Sequence, residues 1–89
     1  MIFRLHALKR MVERRISPED VYHILATGVD IEIYPEDQPY PSRLILGTIG
    51  SRPLHLVVAD DPQDEKSIVI TVYEADPEKW EAGFSRRKS

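Results

Sequence analysis

The stretch RLILGTIGSRPLHLVVA, Arg43 to Ala59, decides the fold. It contains two runs of strand-forming residues, Arg43 to Ile49 and Arg52 to Ala59, on either side of Gly50-Ser51. A Gly-X pair suits a two-residue type II′ turn, because glycine takes the positive φ required at the first position. A two-residue turn fixes the register, so that Leu46 faces His55 and Ile45 faces Leu56. Both faces of this hairpin are largely apolar, which predicts that it lies in the centre of a sheet and not at its edge.

On the N-terminal side, VDIEIY alternates Val29, Ile31 and Ile33 with Asp30, Glu32 and Tyr34, the period-2 pattern of a half-exposed edge strand. Between it and the hairpin, PEDQPYPS holds three prolines in eight residues, so it reads as a stiff loop. On the C-terminal side, DDPQDEKS is a turn and SIVITVYE a strand rich in β-branched residues. Asp76-Pro77 then starts a short helical turn that folds Trp80 and Phe84 back on the sheet, and the basic SRRKS tail is expected to fray.

Before the strands, two helices are predicted. The first runs from about Phe3 to Arg15, with Leu5, Leu8, Val12 and Ile16 as its buried stripe and His6, Arg10 and Arg14 at the border of that stripe, about 100° away. Ser17-Pro18-Glu19-Asp20 opens the second: a serine N-cap, proline at the first helical position, and acidic residues at the positive end of the helix dipole. Val21, Ile24 and Leu25 face inward, and Gly28 is expected to end the helix in a left-handed conformation.

The connections are mostly too short for parallel crossovers. The expected fold is α+β: a helical pair, residues 3–27, on one face of a four-stranded antiparallel sheet, residues 29–75, with a C-terminal turn and basic tail over 76–89. At 89 residues the whole chain, 1–89, is one domain. Its 42% hydrophobic and 30% charged content is that of a globular chain. The absence of cysteine excludes disulfides, thiolate chemistry and Cys-based zinc sites, and points to the cytoplasm. No signal-peptide pattern is present and no apolar run approaches the ~20 residues of a membrane span.

The net charge of −3 conceals a segregation. Up to Ile16 there are five basic residues and one acidic; from Ser17 to Ser42 there are six acidic and no basic ones. A basic helix and tail beside an acidic middle can hold an anion locally. His6, Arg10 and Arg14 are the first candidates, since arginine presents a planar fork of donors to phosphate and imidazole exchanges protons close to neutral pH. The bland alternative is a solvated helix face. His55, at the centre of an apolar strand, is either a satisfied core histidine or the polar centre of a concave sheet face, which Arg43 and Tyr73 would border. The histidines lie on separate elements, so no metal site and no cofactor is expected.

The pattern HALKRMVERRISPEDV, followed by YPSRLILG, PLHLVVA and IVITVYEADPEKW, resembles a family of small bacterial and archaeal domains of unknown function that share a His-Ala-x-x-Arg-Met-x-x-Arg-x-Ile-Ser helix followed by antiparallel strands. The resemblance runs from Leu5 to about Phe84. That family is similar to the RelE/BrnT-like toxins of toxin–antitoxin modules, often encoded beside a zinc-ribbon antitoxin. The resemblance implies an mRNA-cleaving ribonuclease, acting on or off the ribosome and held inactive by its antitoxin. It carries over to His6 and Arg10 most directly, then Arg14, and to His55 and Tyr73 by strand position.

The expectation is therefore a metal-independent endoribonuclease. His6 and His55 are its acid/base candidates, Tyr73 is an auxiliary proton donor or stacking group, and Arg10, Arg14 and Arg43 are its phosphate ligands. The alternative is a non-catalytic interaction domain that binds a partner or a second copy of itself through the uncovered sheet face.

Overall fold

A computed structural model describes residues 1–88. Its elements are β1 (Ile2–Phe3), α1 (Leu5–Arg14), α2 (Pro18–Thr27), β2 (Val29–Tyr34), β3 (Ser42–Ile49), β4 (Arg52–Asp61) and β5 (Lys66–Glu74). They form one five-stranded sheet in the order β1-β5-β4-β3-β2.

The central hairpin has the register expected from its turn, with Ile45 opposite Leu56 and Leu46 opposite His55. Gly50 has φ of 61° while Ser51 is not among the positive-φ residues, as a type II′ turn requires. β2 occupies one edge of the sheet.

The expected four-stranded antiparallel sheet is corrected by β1, which pairs in parallel with β5 through Ile2–Ile68 and Phe3–Val69. The sheet is therefore mixed. Ile2 and Phe3, the latter expected to begin the first helix, add a fifth strand, and the Arg4 N–H extends the pairing by donating to the Val69 carbonyl at 3.0 Å.

This anchoring also changes which face of α1 is buried. Leu5, Leu8 and Val12 are 69%, 42% and 81% exposed, while Ala7 and Met11 are buried. Ala7 has a side chain small enough to let the helix approach the sheet closely, and α1 lies against β5 while α2 lies against β3. Ala7, Met11, Val21 and Ile24 from the helices join Ile45, Leu54, Leu56, Val58, Val69 and Val72 from the strands in a single core.

α2 begins as its sequence predicts. The Asp20 N–H donates to Ser17 Oγ and the Ser17 N–H to Asp20 Oδ2, a reciprocal cap with Pro18 at the first helical position. Its end differs from expectation: Gly28 has φ of −74°, and the left-handed residue is Arg15 at the end of α1, with φ of 55°. Glycine is needed at 28 for space, because a Cβ there would lie 2.6 Å from the Ile24 carbonyl oxygen and 2.7 Å from Ile45 Cγ2.

β2 has a bulge between Asp30 and Glu32, and the alternation expected to bury Val29 and Ile33 does not hold. Both residues are exposed, and Ile31, Glu32 and Tyr34 are the half-buried ones.

The face opposite the helices is covered in part by the C-terminal segment. Asp76 opens a turn by accepting the Glu78 N–H on Oδ1, and Trp80 is folded down and buried. The tail expected to fray instead doubles back as far as Lys88: the Glu81 N–H donates to the Arg86 carbonyl and the Lys88 N–H to that of Lys79. Ser89, the last residue of that tail, lies outside the described residues. Among the described residues no helix is long and apolar enough to cross a membrane.

Candidate functional site

β1 covers β5 only at Ile68 and Val69. Beyond Val69 the outer edge of β5 borders a cleft of about 640 Å³. One wall is α1, which contributes His6, Arg10 and Arg14; the floor is Thr71, Tyr73 and Glu74 of β5; the other wall is the C-terminal segment, with Asp76, Lys79, Trp80 and Arg87.

The position of the α1 stripe follows from helix geometry. His6 and Arg10 immediately precede the buried Ala7 and Met11, so at about 100° per residue they lie at the border of the buried face, turned toward the strand edge. Arg52 fixes the end of the helix. Its guanidinium donates to the carbonyls of Arg14 and Arg15, the latter at 3.2 Å, and its Nε donates to Glu74 Oε1 at 2.9 Å. The otherwise unpaired carbonyls at the helix C-terminus thus meet a cation, a favourable arrangement with the helix dipole.

The opposite wall is held by a charge cluster. Arg87 forks onto Glu32, with Nε to Oε2 at 3.0 Å and Nη2 to Oε1 at 3.2 Å, and its Cζ lies 4.6 Å from the Trp80 ring centroid. The Tyr34 hydroxyl also donates to Glu32. The Arg87 contact outweighs partial burial and holds the Glu32 carboxyl below its ordinary range. Arg87 is correspondingly raised above the ordinary arginine range by the same bond.

Of the sequence candidates, His6, Arg10, Arg14 and Tyr73 share the cleft. Burial pushes the Tyr73 phenol up, so near neutral pH it is a proton donor and not a base. Arg10 makes a loose contact, 3.4 Å to Glu13, with both partners about half-exposed. Among the described residues Arg14 and Lys79 form no salt bridge.

His55 and Arg43 do not join this group. His55 is fully buried beneath the cleft, with ring centroids 5.3 Å from Tyr73 and 4.4 Å from Trp80. Its Nε2 lies 2.9 Å from the Phe84 carbonyl oxygen. A carbonyl only accepts, so Nε2 carries the proton; Nδ1 is then the bare nitrogen, buried and without a partner. Burial lowers the pKa of this imidazole, against the opposing pull of the Phe84 carbonyl. The structure places His55 in the core and not among the residues that line the cleft, and its hydrogen bond to the Phe84 carbonyl ties the C-terminal wall to the sheet.

Arg43, expected among the phosphate ligands, points elsewhere because two carboxylates hold it: Nη1 to Asp30 Oδ1 at 3.2 Å and Nε to Asp60 Oδ2 at 3.1 Å. Lys79 and Arg87 are the cleft cations that the sequence did not single out as ligands, and Arg52 acts behind them by holding the end of α1. For Arg87 the one sequence signal is the run of positive charge in a tail that reads as frayed. Among the described residues, no group of three or more His, Asp or Glu side chains is placed to hold a metal ion.

The fold and cleft define a small α+β domain with a cationic groove along a sheet edge. The chain belongs to the family described as domain of unknown function DUF4258, which it matches over residues 3–74. No curated protein and no solved structure matches it. The matched region includes His6, Arg10, Arg14 and Tyr73 and stops before Lys79, Trp80 and Arg87.

Proposed function

We propose that this domain is a metal-independent endoribonuclease, working in the cytoplasm as the toxin of a toxin–antitoxin module and cutting mRNA, on or off the ribosome, until a zinc-ribbon antitoxin restrains it. One observation supports this reading above the others: His6, Arg10 and Arg14 of α1 and Tyr73 of β5, distant in sequence, line one cleft. The toxin, ribosome and antitoxin parts rest on the sequence resemblance.

In the proposed reaction, a ribose 2′-oxygen attacks the adjacent phosphorus while its proton passes to His6. The bond to the 5′-oxygen breaks, and that oxygen takes a proton from Tyr73. The products are a 2′,3′-cyclic phosphate and a free 5′-hydroxyl. Arg10 and Arg14, with Lys79 and Arg87 opposite, stabilise the charge that builds on the equatorial oxygens. His55 positions Tyr73 and Trp80 and takes no part in proton transfer.

The test is incubation of the purified chain with RNA, with and without ribosomes, followed by analysis of the cut ends. Cyclic phosphate termini that appear with wild-type protein and vanish with His6→Ala support the reading; no cleavage in either condition refutes it.

A second reading, a non-catalytic interaction domain, draws on a different surface. Leu5, Leu8 and Val12 form an exposed apolar stripe on the outside of α1. Such a stripe suits a partner or a second copy, and the reading predicts that His6 and Arg10 can be replaced without functional loss.

A further inference from the structure

The geometry points to a protein partner that closes the cleft by adding an extended, acidic segment to the free edge of β5. As regulation of the site this rests on the nuclease reading; as a binding site it does not.

β1 ends at Phe3, opposite Val69, and the last main-chain bond on that side runs from Arg4 to the Val69 carbonyl. Among the described residues the strand neighbour of Thr71 to Glu74 is β4 alone, and Ile70 is the extra residue of a bulge at the register shift between Val57 and Val58. Among the described residues no loop or cap donates to, or accepts from, the main chain of 70–74. Unpaired edges of this kind template the addition of a strand. Five edge residues give room for about 17 Å of extended chain, at roughly 3.4 Å per residue.

The charge of the walls selects the occupant. A second copy pairing β5 to β5 would bring two basic α1 walls together, so like charges disfavour it. Of the cations, Arg87 is already committed to Glu32, whereas among the described residues Arg14 and Lys79 have no acidic partner and Arg10 only the loose contact to Glu13. Most of the free positive charge therefore lies on the α1 side, with Lys79 facing it.

The spacing matches as well. Residues four apart on a helix are displaced about 6 Å along its axis, and alternate residues of a strand about 6.7 Å along the chain. A segment with a carboxylate at every second position can thus address His6, Arg10 and Arg14 in turn. Its intervening small or apolar side chains face the Trp80 wall. Such a segment places carboxylates where the proposed reaction places phosphates, so it excludes RNA.

The probe is an acetylated and amidated hexapeptide, Val-Glu-Thr-Glu-Val-Asp, compared with the same peptide N-methylated at alternate residues, which keeps every charge and removes main-chain donors. Hydrogen exchange of the full chain is expected to show protection at Ile70 to Glu74 with the first peptide only. Affinity should fall at least ~10-fold on N-methylation, in keeping with the loss of one or two hydrogen bonds, and should also fall in Arg14→Ala. Equal binding of both peptides, or binding of neither, overturns the inference. Binding of a single-stranded oligonucleotide but not the peptide overturns it while leaving the nuclease reading in place. Edge protection by the peptide in a chain that cuts no RNA leaves the inference standing and removes the nuclease.

Discussion

His55 and Tyr73 stand opposite each other on β4 and β5, with ring centroids 5.3 Å apart and ring planes at 82°. The phenol that forms part of the cleft floor thus rests edge-to-face on an imidazole that solvent does not reach. Because Trp80 packs on the same imidazole, one buried side chain supports both the floor and the C-terminal wall.

This support is sensitive to acid. The His55 pKa lies below its ordinary value of 6.5 in the folded protein, so around and below that value the unfolded chain binds more protons than the native one. The stabilisation is complete above pH 6.5 and is lost as pH falls below it. Denaturation midpoints measured from pH 7.5 to 5 should therefore drop in the wild type, and drop less in His55→Phe, which cannot titrate.

The nuclease reading gives His6 and Arg10 a part in the chemistry and little part in stability. His6 is exposed and Arg10 half-exposed, so alanine at either should shift stability by no more than about 0.5 kcal/mol. Loss of the proton-transfer group should slow cleavage roughly 10²- to 10⁴-fold. Circular dichroism melts and a cleavage assay on the same preparations check both halves of this prediction, and growth inhibition on expression should disappear with the activity.

Arg87 couples the tail to the sheet, though partly in solvent. Its side chain is 56% exposed and that of Glu32 27%, so Arg87→Ala should cost about 0.2–1 kcal/mol at pH 7. The Glu32 pKa is depressed in the fold, chiefly by Arg87, so the ion-pair part of this cost is present above pH 4.5 and disappears as Glu32 protonates below it. Chemical denaturation of both proteins at pH 7 and pH 3 measures the difference. If the cleft holds phosphate, Arg87→Ala should also reduce the salt slope of single-strand binding by about 0.7 for each phosphate that the guanidinium had neutralised.

Trp80→Ala should cost about 3–5 kcal/mol, the usual cost of emptying a buried aromatic site. Gly47→Ala is destabilising for the opposite reason: the added Cβ would sit 2.5 Å from Ile24 Cγ2, crowding α2 against β3, at a cost of about 1–3 kcal/mol. Urea titrations should measure both losses, and hydrogen exchange should separate them, since the tryptophan loss alone should expose Ile70–Glu74 and the tail to faster exchange.

The sequence by itself determined the local parts of this protein. The Gly50-Ser51 turn set the register of β3 and β4, and Ser17, Pro18 and Asp20 set the start of α2, because each depends on bonds between residues a few positions apart. The grouping of His6, Arg10 and Arg14 was legible for the same reason, as a matter of helix period.

What only the tertiary structure decided depends on distant contacts. A two-residue strand has no periodicity to read, and β1 exists because Ile2 and Phe3 meet Ile68 and Val69, 66 residues away. That pairing, with Arg52 holding the carbonyls of Arg14 and Arg15, fixes the rotation of α1 about its axis. It buries Ala7 and Met11 in place of the more apolar Leu5, Leu8 and Val12. The same rotation turns the basic stripe toward the open edge of β5, and the folded tail supplies the facing wall. A helix's period fixes which side chains share a face, but packing against the sheet decides where that face points.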